Sequence, residues 1–169
     1  MEKMIVALRI DDRLVHGQVA LAWCKALGSQ GILVANDQVC NNELQKMALK
    51  MATPVNVKLL VQPVAQAIGV LKNPKARSMH IMVLVTNVRD ALEICRQLPE
   101  IKEVNLAGTG RLEGGEEGKI VLVKSSVFLK PEELGSLKEL VSSGVRVYNQ
   151  QLPTHEKTDV AKLLERIDH

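Results

Sequence analysis

Aromatic side chains are nearly absent, with Trp23, Phe128 and Tyr148 making up 2% of the 169 residues. Three scattered rings offer no stacking platform for a single-stranded nucleic acid. Cysteine is equally sparse. Cys24, Cys40 and Cys95 are odd in number and show no CxxC spacing, so neither a disulfide framework nor a zinc site is signalled. They read as small core residues. No uncharged apolar run approaches the roughly 20 residues a membrane-spanning helix needs, so no direct membrane insertion is expected and any membrane role must come through a partner. The first residues meet an acidic turn at once and lack a signal peptide's hydrophobic segment, which places the chain in the cytoplasm. Neither sign of charge dominates. The net charge is +3, and the Lys and Arg residues are spread along the chain, so nucleic acid is not implied. GxGxxG is missing after the first strand and GxxxxGK[ST] is missing throughout, which leaves dinucleotide folds and P-loop enzymes without support.

What is present is an alternation. Short β-branched and aliphatic runs take turns with stretches of helical period, the pattern of βα units that build a parallel sheet. Strands are expected at Met4 to Arg9, Gly31 to Ala35, Val57 to Val61, His80 to Val85, Glu103 to Ala107, Ile120 to Phe128 with a break near Lys124, and Val145 to Gln150. Their nearly continuous apolar character suits strands buried on both faces. Helices are expected at Gly17 to Leu27, Asn42 to Ala52, Pro63 to Leu71, Val88 to Leu98, Pro131 to Ser142 and His155 to Ile167. Pro63 and Pro131 stand where a first turn tolerates proline, while Gly28 and Gly144 stand where a left-handed residue ends a helix. With 46% hydrophobic and 24% charged residues, the expectation is a single α/β domain over residues 1–169. It should hold one open, mainly parallel sheet of six or seven strands with helices on both faces. Ligand sites of such sheets gather beyond the carboxyl ends of the strands, so the loops after the first, fourth and fifth strands are the places to search.

The first of these loops stands out. Arg9-Ile-Asp-Asp-Arg-Leu-Val-His-Gly-Gln-Val puts two arginines, two carboxylates and a histidine within eight positions, and ordering so many long charged side chains costs entropy that a mere connection has no need to spend. A helix beginning at Gly17 presents free N–H groups and a positive dipole end to an anion beside His16. Arg9 and Arg13 carry guanidinium forks that match phosphate oxygens. Asp11 or Asp12 is suited to accept from one imidazole nitrogen and leave the other nucleophilic. The competing reading makes Asp11 and Asp12 turn caps, the arginines solvated and His16 an idle helix-start residue. Zinc is the weaker alternative, since His16 has no second ligand at zinc spacing.

These residues resemble the active-site signature of the IIB components of the mannose, fructose and sorbose class of the bacterial sugar phosphotransferase system. Trp23 stands where that family commonly has tryptophan. The resemblance continues through Val34-Ala-Asn-Asp, Leu49-Lys-Met-Ala-Thr-Pro and Gly144-Val-Arg-Val-Tyr-Asn-Gln-Gln-Leu-Pro, and so covers almost the whole chain. It implies a transferase in which His16 takes phosphate from the phosphohistidine of a IIA domain and gives it to a sugar. The sugar is held by membrane IIC and IID partners, so the domain would lie peripheral to the inner face of the membrane, with no cofactor and no metal. Residue by residue, His16 matches the carrier, Arg9 and Arg13 the phosphate ligands with Gly17 at the helix start, and Asp11 or Asp12 the orienter. The stretch Ala107 to Gly118 departs from the family's Asn-x-Gly-Gly-like pattern. A rival function is a regulator that binds phosphate or a sugar phosphate without becoming phosphorylated. A third is an interaction module that kept the fold and lost the chemistry.

Other candidates have plainer readings beside them. Asn36 and Asp37 follow the second strand and read either as a turn or as a phosphate or partner contact. Thr86 and Asn87 follow the fourth strand, where helix capping competes with phosphate contact. Gly108, Thr109 and Gly110 can form an anion nest of backbone N–H groups. His80 reads as a strand-edge residue, His155 as a cap or surface group, and His169 as the terminal residue.

Overall fold

The computed structural model describes residues 4–112 and 114–167, so Glu113 and His169 lie outside the described residues. Among the described residues there are nine strands, β1 (Ile5–Asp11), β2 (Gly31–Ala35), β3 (Lys58–Gln62), β4 (Ile81–Val85), β5 (Glu103–Gly108), β6 (Ile120–Val123), β7 (Val127–Leu129), β8 (Arg146–Asn149) and β9 (Thr158–Asp159). Six α-helices accompany them: α1 (Gly17–Leu27), α2 (Glu43–Ala52), α3 (Val64–Lys72), α4 (Val88–Gln97), α5 (Pro131–Ser142) and α6 (Val160–Ile167). Seven strands form one open sheet in the order β3-β2-β4-β1-β5-β8-β9, parallel except for β9, which runs antiparallel to β8.

Residues alternate across each strand, and the alternation divides the core in two. Leu8, Ile10, Leu33, Val83, Val85, Val104 and Leu106 pack against α3, α4, α5 and α6. Ile32, Val34, Met82 and Leu84 pack on the other face with Ala20, Trp23 and Cys24 of α1 and Leu49 of α2. The connections out of β1 and β2 cross one face toward β3, and those out of β3, β4 and β5 cross the other face toward β8. This is the pattern that right-handed crossovers impose. β1 therefore lies between β4 and β5 where the winding reverses, and the three loops singled out from the sequence meet at one edge.

Two expectations need correction. The run from Ile120 to Phe128 is not a strand of the sheet. It is the separate antiparallel hairpin β6-β7, broken where Ser125 adopts φ 69° and the Ser126 amide donates to the Val123 carbonyl at 3.1 Å. The last helix starts at Val160, not His155. Gln150 Nε2 donates to the His155 carbonyl at 2.7 Å, and Thr158 and Asp159 pair with Asn149 and Tyr148. A two-residue edge strand is too short to leave a period in the sequence.

The cysteines also divide. Cys24 and Cys95 are buried, but Cys40 is only half-buried and its Sγ donates to the Asp37 carbonyl at 3.3 Å. Burial pushes the Cys95 thiol up to about 12 and the Cys24 thiol upward as well. Brief treatment of the native protein with iodoacetamide near neutral pH is expected to label Cys40 alone, because the thiolate is the reactive form. Peptide mass mapping checks this, and early label on Cys95 would contradict it.

Candidate functional site

Arg9 and Asp11 share parity on β1, so both side chains leave the sheet on the α1 face, opposite Leu8 and Ile10. Arg9 is 3% exposed and lies against the Trp23 ring, 5.1 Å from its centroid. Its Nη1 donates to the Gln150 carbonyl at 3.0 Å, and its Nη2 to the Gln151 carbonyl at 3.1 Å and to Asp11 Oδ2 at 3.3 Å. Trp23 Nε1 donates to the same Gln151 carbonyl at 2.9 Å. The chain after β8 thus supplies acceptors that fix Arg9. Burial lowers the guanidinium's proton affinity, and the Asp11 charge and hydrogen bond restore part of it. The expectation of Arg9 as a phosphate ligand is corrected: both terminal nitrogens are spent on internal partners, beneath the surface.

Asp11 closes β1 at 1% exposure. Four donors surround its carboxylate: His16 Nε2 at 3.1 Å and Arg9 on Oδ2, Arg111 Nη2 at 2.8 Å and the Arg13 amide at 3.0 Å on Oδ1. Burial alone would raise this carboxyl, but the hydrogen bond from His16, the Arg9 charge and the Arg13 amide outweigh it and hold it below the ordinary range. Asp11 is therefore an anion at neutral pH, and an anion beside Nε2 keeps the imidazole proton on that nitrogen. Nδ1 is left with its lone pair. His16 is the N-cap of α1 with extended backbone, φ −140° and ψ 111°, and its side chain makes no cap bond.

Asp12 does not touch His16, which corrects its assignment beside Asp11. Asp12 is the first residue of the turn that follows β1, closed by the Leu14 amide on the Asp11 carbonyl at 2.9 Å, and it faces Arg111, accepting from its Nε at 2.8 Å and its amide at 2.9 Å. The turn continues through Leu14, whose φ of 58° is unusual for a residue with a Cβ and whose side chain is buried among the α1 and α2 core. Arg13 and Gly17 are exposed. The Arg13 guanidinium has no partner among the described residues, so it is free to meet an anion. The first helix amide with an intrahelical partner is that of Ala20, on the His16 carbonyl at 3.3 Å, so those of Gly17, Gln18 and Val19 need another acceptor.

The remaining candidates line the neighbouring cleft, a space of about 610 Å³ bounded by Asp12, Leu14, Asn36, Thr86, Thr109 and Glu133 among others. Asn36 Oδ1 accepts from the Gln38 and Val39 amides at 2.9 and 2.8 Å, and its Nδ2 donates to Thr86 Oγ1 at 3.1 Å. Asp37 Oδ1 takes the Val64 amide at 2.9 Å at the start of α3, and Asn87 caps α4 through the Asp90 amide at 2.8 Å. Those are turn and capping roles. Of the amides expected to form an anion nest at Gly108 to Gly110, that of Thr109 is already taken. The Thr109 amide donates to the Ser126 carbonyl at 2.9 Å, and the Gly108 carbonyl takes the Asp12 amide at 3.0 Å.

Arg111 is the functional residue that sequence reasoning missed. Its only signal was an arginine inside a glycine-rich loop after the fifth strand.

Comparison with known proteins gives a consistent picture. Residues 5–169 match the family described as the PTS system sorbose subfamily IIB component. A probable phosphotransferase enzyme IIB component of Streptococcus pyogenes is 41% identical over 95% of this chain and 99% of its own length. The sorbose-specific EIIB component of Klebsiella pneumoniae is 35% identical over 85% and 84%. The mannose-specific EIIAB component of Escherichia coli is 31% identical over 98% of this chain but 50% of its own length. Among solved structures, the IIBSor domain of the Klebsiella pneumoniae sorbose permease superposes with a TM-score of 0.87 at 31% identity, covering 96% of each chain.

Proposed function

Since the chain belongs to the sorbose subfamily of phosphotransferase-system IIB components, and is thus a phosphoryl-transfer component, we propose that it carries the phosphoryl group on Nδ1 of His16. The observation that carries this reading is the hydrogen bond between His16 Nε2 and the buried Asp11 carboxylate, which leaves Nδ1 as the nucleophile.

Transfer then runs in two steps. The Nδ1 lone pair attacks phosphorus on a phosphohistidine donor, the donor's P–N bond breaks, and its electron pair returns to the donor imidazole. A sugar hydroxyl oxygen next attacks the phosphorus on His16, the Nδ1–P bond breaks toward Nδ1, and the hydroxyl proton passes to a base or to water. In both steps negative charge spreads over the three equatorial oxygens. The exposed Arg13 guanidinium, without a partner among the described residues, and the amides of Gly17 to Val19 are the groups that receive it. Arg9 acts from beneath by fixing Asp11. The fusion named by the Escherichia coli EIIAB relative supports a IIA domain as donor, and the sugar-specific names of the relatives support a sugar as final acceptor. That sugar would be held by membrane IIC and IID partners; no described helix of this chain is itself long and apolar enough to cross a membrane.

The test is intact mass after incubation with the general phosphotransferase proteins, a cognate IIA and phosphoenolpyruvate. One phosphoryl group that is lost on acid treatment is the expected product. An unmodified chain beside a demonstrably phosphorylated donor favours a non-covalent binder. Arg13→Ala is expected to slow transfer roughly 100-fold, the scale for one lost charge-stabilising donor, with an unchanged melting temperature. Rapid-quench transfer rates decide it.

A further inference from the structure

Arg111 reaches the site from a loop that begins where β5 ends, 100 positions from Asp11. Among the described residues it is the one that binds both carboxylates of the His16 loop, donating from its backbone amide and Nε to Asp12 and from Nη2 to Asp11 Oδ1, with the same Nη2 2.6 Å from Asp12 Oδ1. The loop is shaped around it. A Cβ on Gly108 would collide with the Arg111 guanidinium, and one on Gly110, at φ +77°, would collide with the Phe128 carbonyl. Only glycine at these two positions lets the chain leave β5, turn and lay the arginine across the carboxylates.

Arg111 and His16 hold opposite oxygens of the Asp11 carboxylate, Oδ1 and Oδ2. A carboxylate has one negative charge to distribute, so a cation drawing density toward Oδ1 weakens the acceptor that faces the imidazole at Oδ2. The other titratable or charged groups around the pair are Arg9 from β1, Asp12 and Arg13 from the same loop as His16, Lys119, whose Nζ donates to the Gly110 carbonyl at 2.9 Å, and the phenol of Tyr148 of β8 behind Arg9, which burial keeps neutral. We propose that Arg111 is a positioning residue that sets how firmly Asp11 holds a proton on Nε2 of His16, and thereby how readily the phosphoryl group leaves Nδ1. When the second nitrogen is protonated, cleavage of the Nδ1–P bond releases neutral imidazole, a better leaving group than imidazolate. Arg111 restrains that protonation and keeps the phosphorylated form from losing its cargo to water. The inference rests on the phosphohistidine reading above.

The test compares wild type with Arg111→Gln and Arg111→Lys. Each is phosphorylated with phosphoramidate, and loss of the group to water is followed by intact mass across a pH series. Arg111→Gln is expected to lose it roughly tenfold faster near neutral pH, with the profile displaced toward higher pH, as removal of one nearby positive charge requires. Arg111→Lys keeps the charge without the fork and should fall between. Wild-type decay of the Arg111→Gln adduct at every pH overturns the proposal. Should wild type acquire no adduct, the phosphohistidine reading fails by itself, and nitrogen-15 NMR of the unphosphorylated proteins decides the role of Arg111. A His16 Nε2 proton moved downfield in Arg111→Gln supports it, and an unmoved one overturns it.

Discussion

His16→Ala is expected to abolish phosphoryl acceptance completely, with no residual adduct in intact mass after incubation with the phosphorylated donor. No second histidine of the described residues stands beside Asp11. Among the described residues, His80 lies beside the amino end of β4, its carbonyl taken by the Gln30 amide at 2.8 Å, and His155 lies in the turn held by Gln150. His80 is at the edge opposite the one where Arg13 and the free amides of α1 converge, and His155, in the turn after β8, has no hydrogen bond to the Asp11 carboxylate that orients His16. The alanine should cost little stability, because the His16 side chain is 27% exposed and its one hydrogen bond is to a carboxylate that keeps three other donors. Loss of acceptance with an unchanged melting temperature would assign the effect to chemistry. An acid-labile adduct on the variant would sink the carrier assignment.

Asp11→Asn is expected to lower transfer by roughly 10,000-fold and also to destabilise the fold. An amide puts NH₂ in place of one of the two oxygens; set toward His16 and Arg9 it removes the acceptor of both and favours the imidazole proton on Nδ1, so the wrong nitrogen is left free, and general experience with a lost orienting carboxylate sets the size. The stability cost is about 3–5 kcal/mol, the range for removing one partner from a buried ion pair, because Arg9 would remain buried beside a neutral group. Urea denaturation and rapid-quench transfer measure the two losses separately. The acid behaviour of the wild type follows from the same carboxylate. A folded-state value held below the ordinary 3.8 means that Asp11 contributes fully above that pH and loses its contribution as the pH falls through the lower folded value. Asp90 and Glu133 run the other way. Burial raises both, so their protonation on acidification favours the folded state. Asp11→Asn should flatten the acid limb of the stability profile, and a variant that unfolds in acid just as wild type does would contradict this.

The sequence carried the plan of the fold further than its details. Continuous apolar runs such as Ile81 to Val85 can be satisfied only between two layers of helices, so a parallel sheet covered on both faces was legible from pattern. Helix ends were legible where chemistry marks them, as at Gly28, whose φ is 64°, and at Pro131 in the first turn of α5. The segments that misled were those whose fate depends on distant partners. Ile120 to Val123 is as aliphatic as a sheet strand, yet it pairs with Val127 to Leu129 in a hairpin of its own.

The candidate site divides the same way. The sequence by itself determined that a histidine preceded by two carboxylates and two arginines would sit at the start of a helix after the first strand, because strand, turn and helix onset are local properties. Only the tertiary structure decided the role of each charged group. Asp11 ends β1 facing His16 while Asp12, in the turn beyond it, is taken by Arg111, a difference that no composition of the loop contains. Arg9 and Arg13 are alike in sequence, but the first is sealed under Trp23 by carbonyls of Gln150 and Gln151 and the second is left open to an anion. Arg111 joins them from 100 positions away because β5 lies beside β1, and strand adjacency is set by crossovers and long-range packing, not by any neighbouring residue.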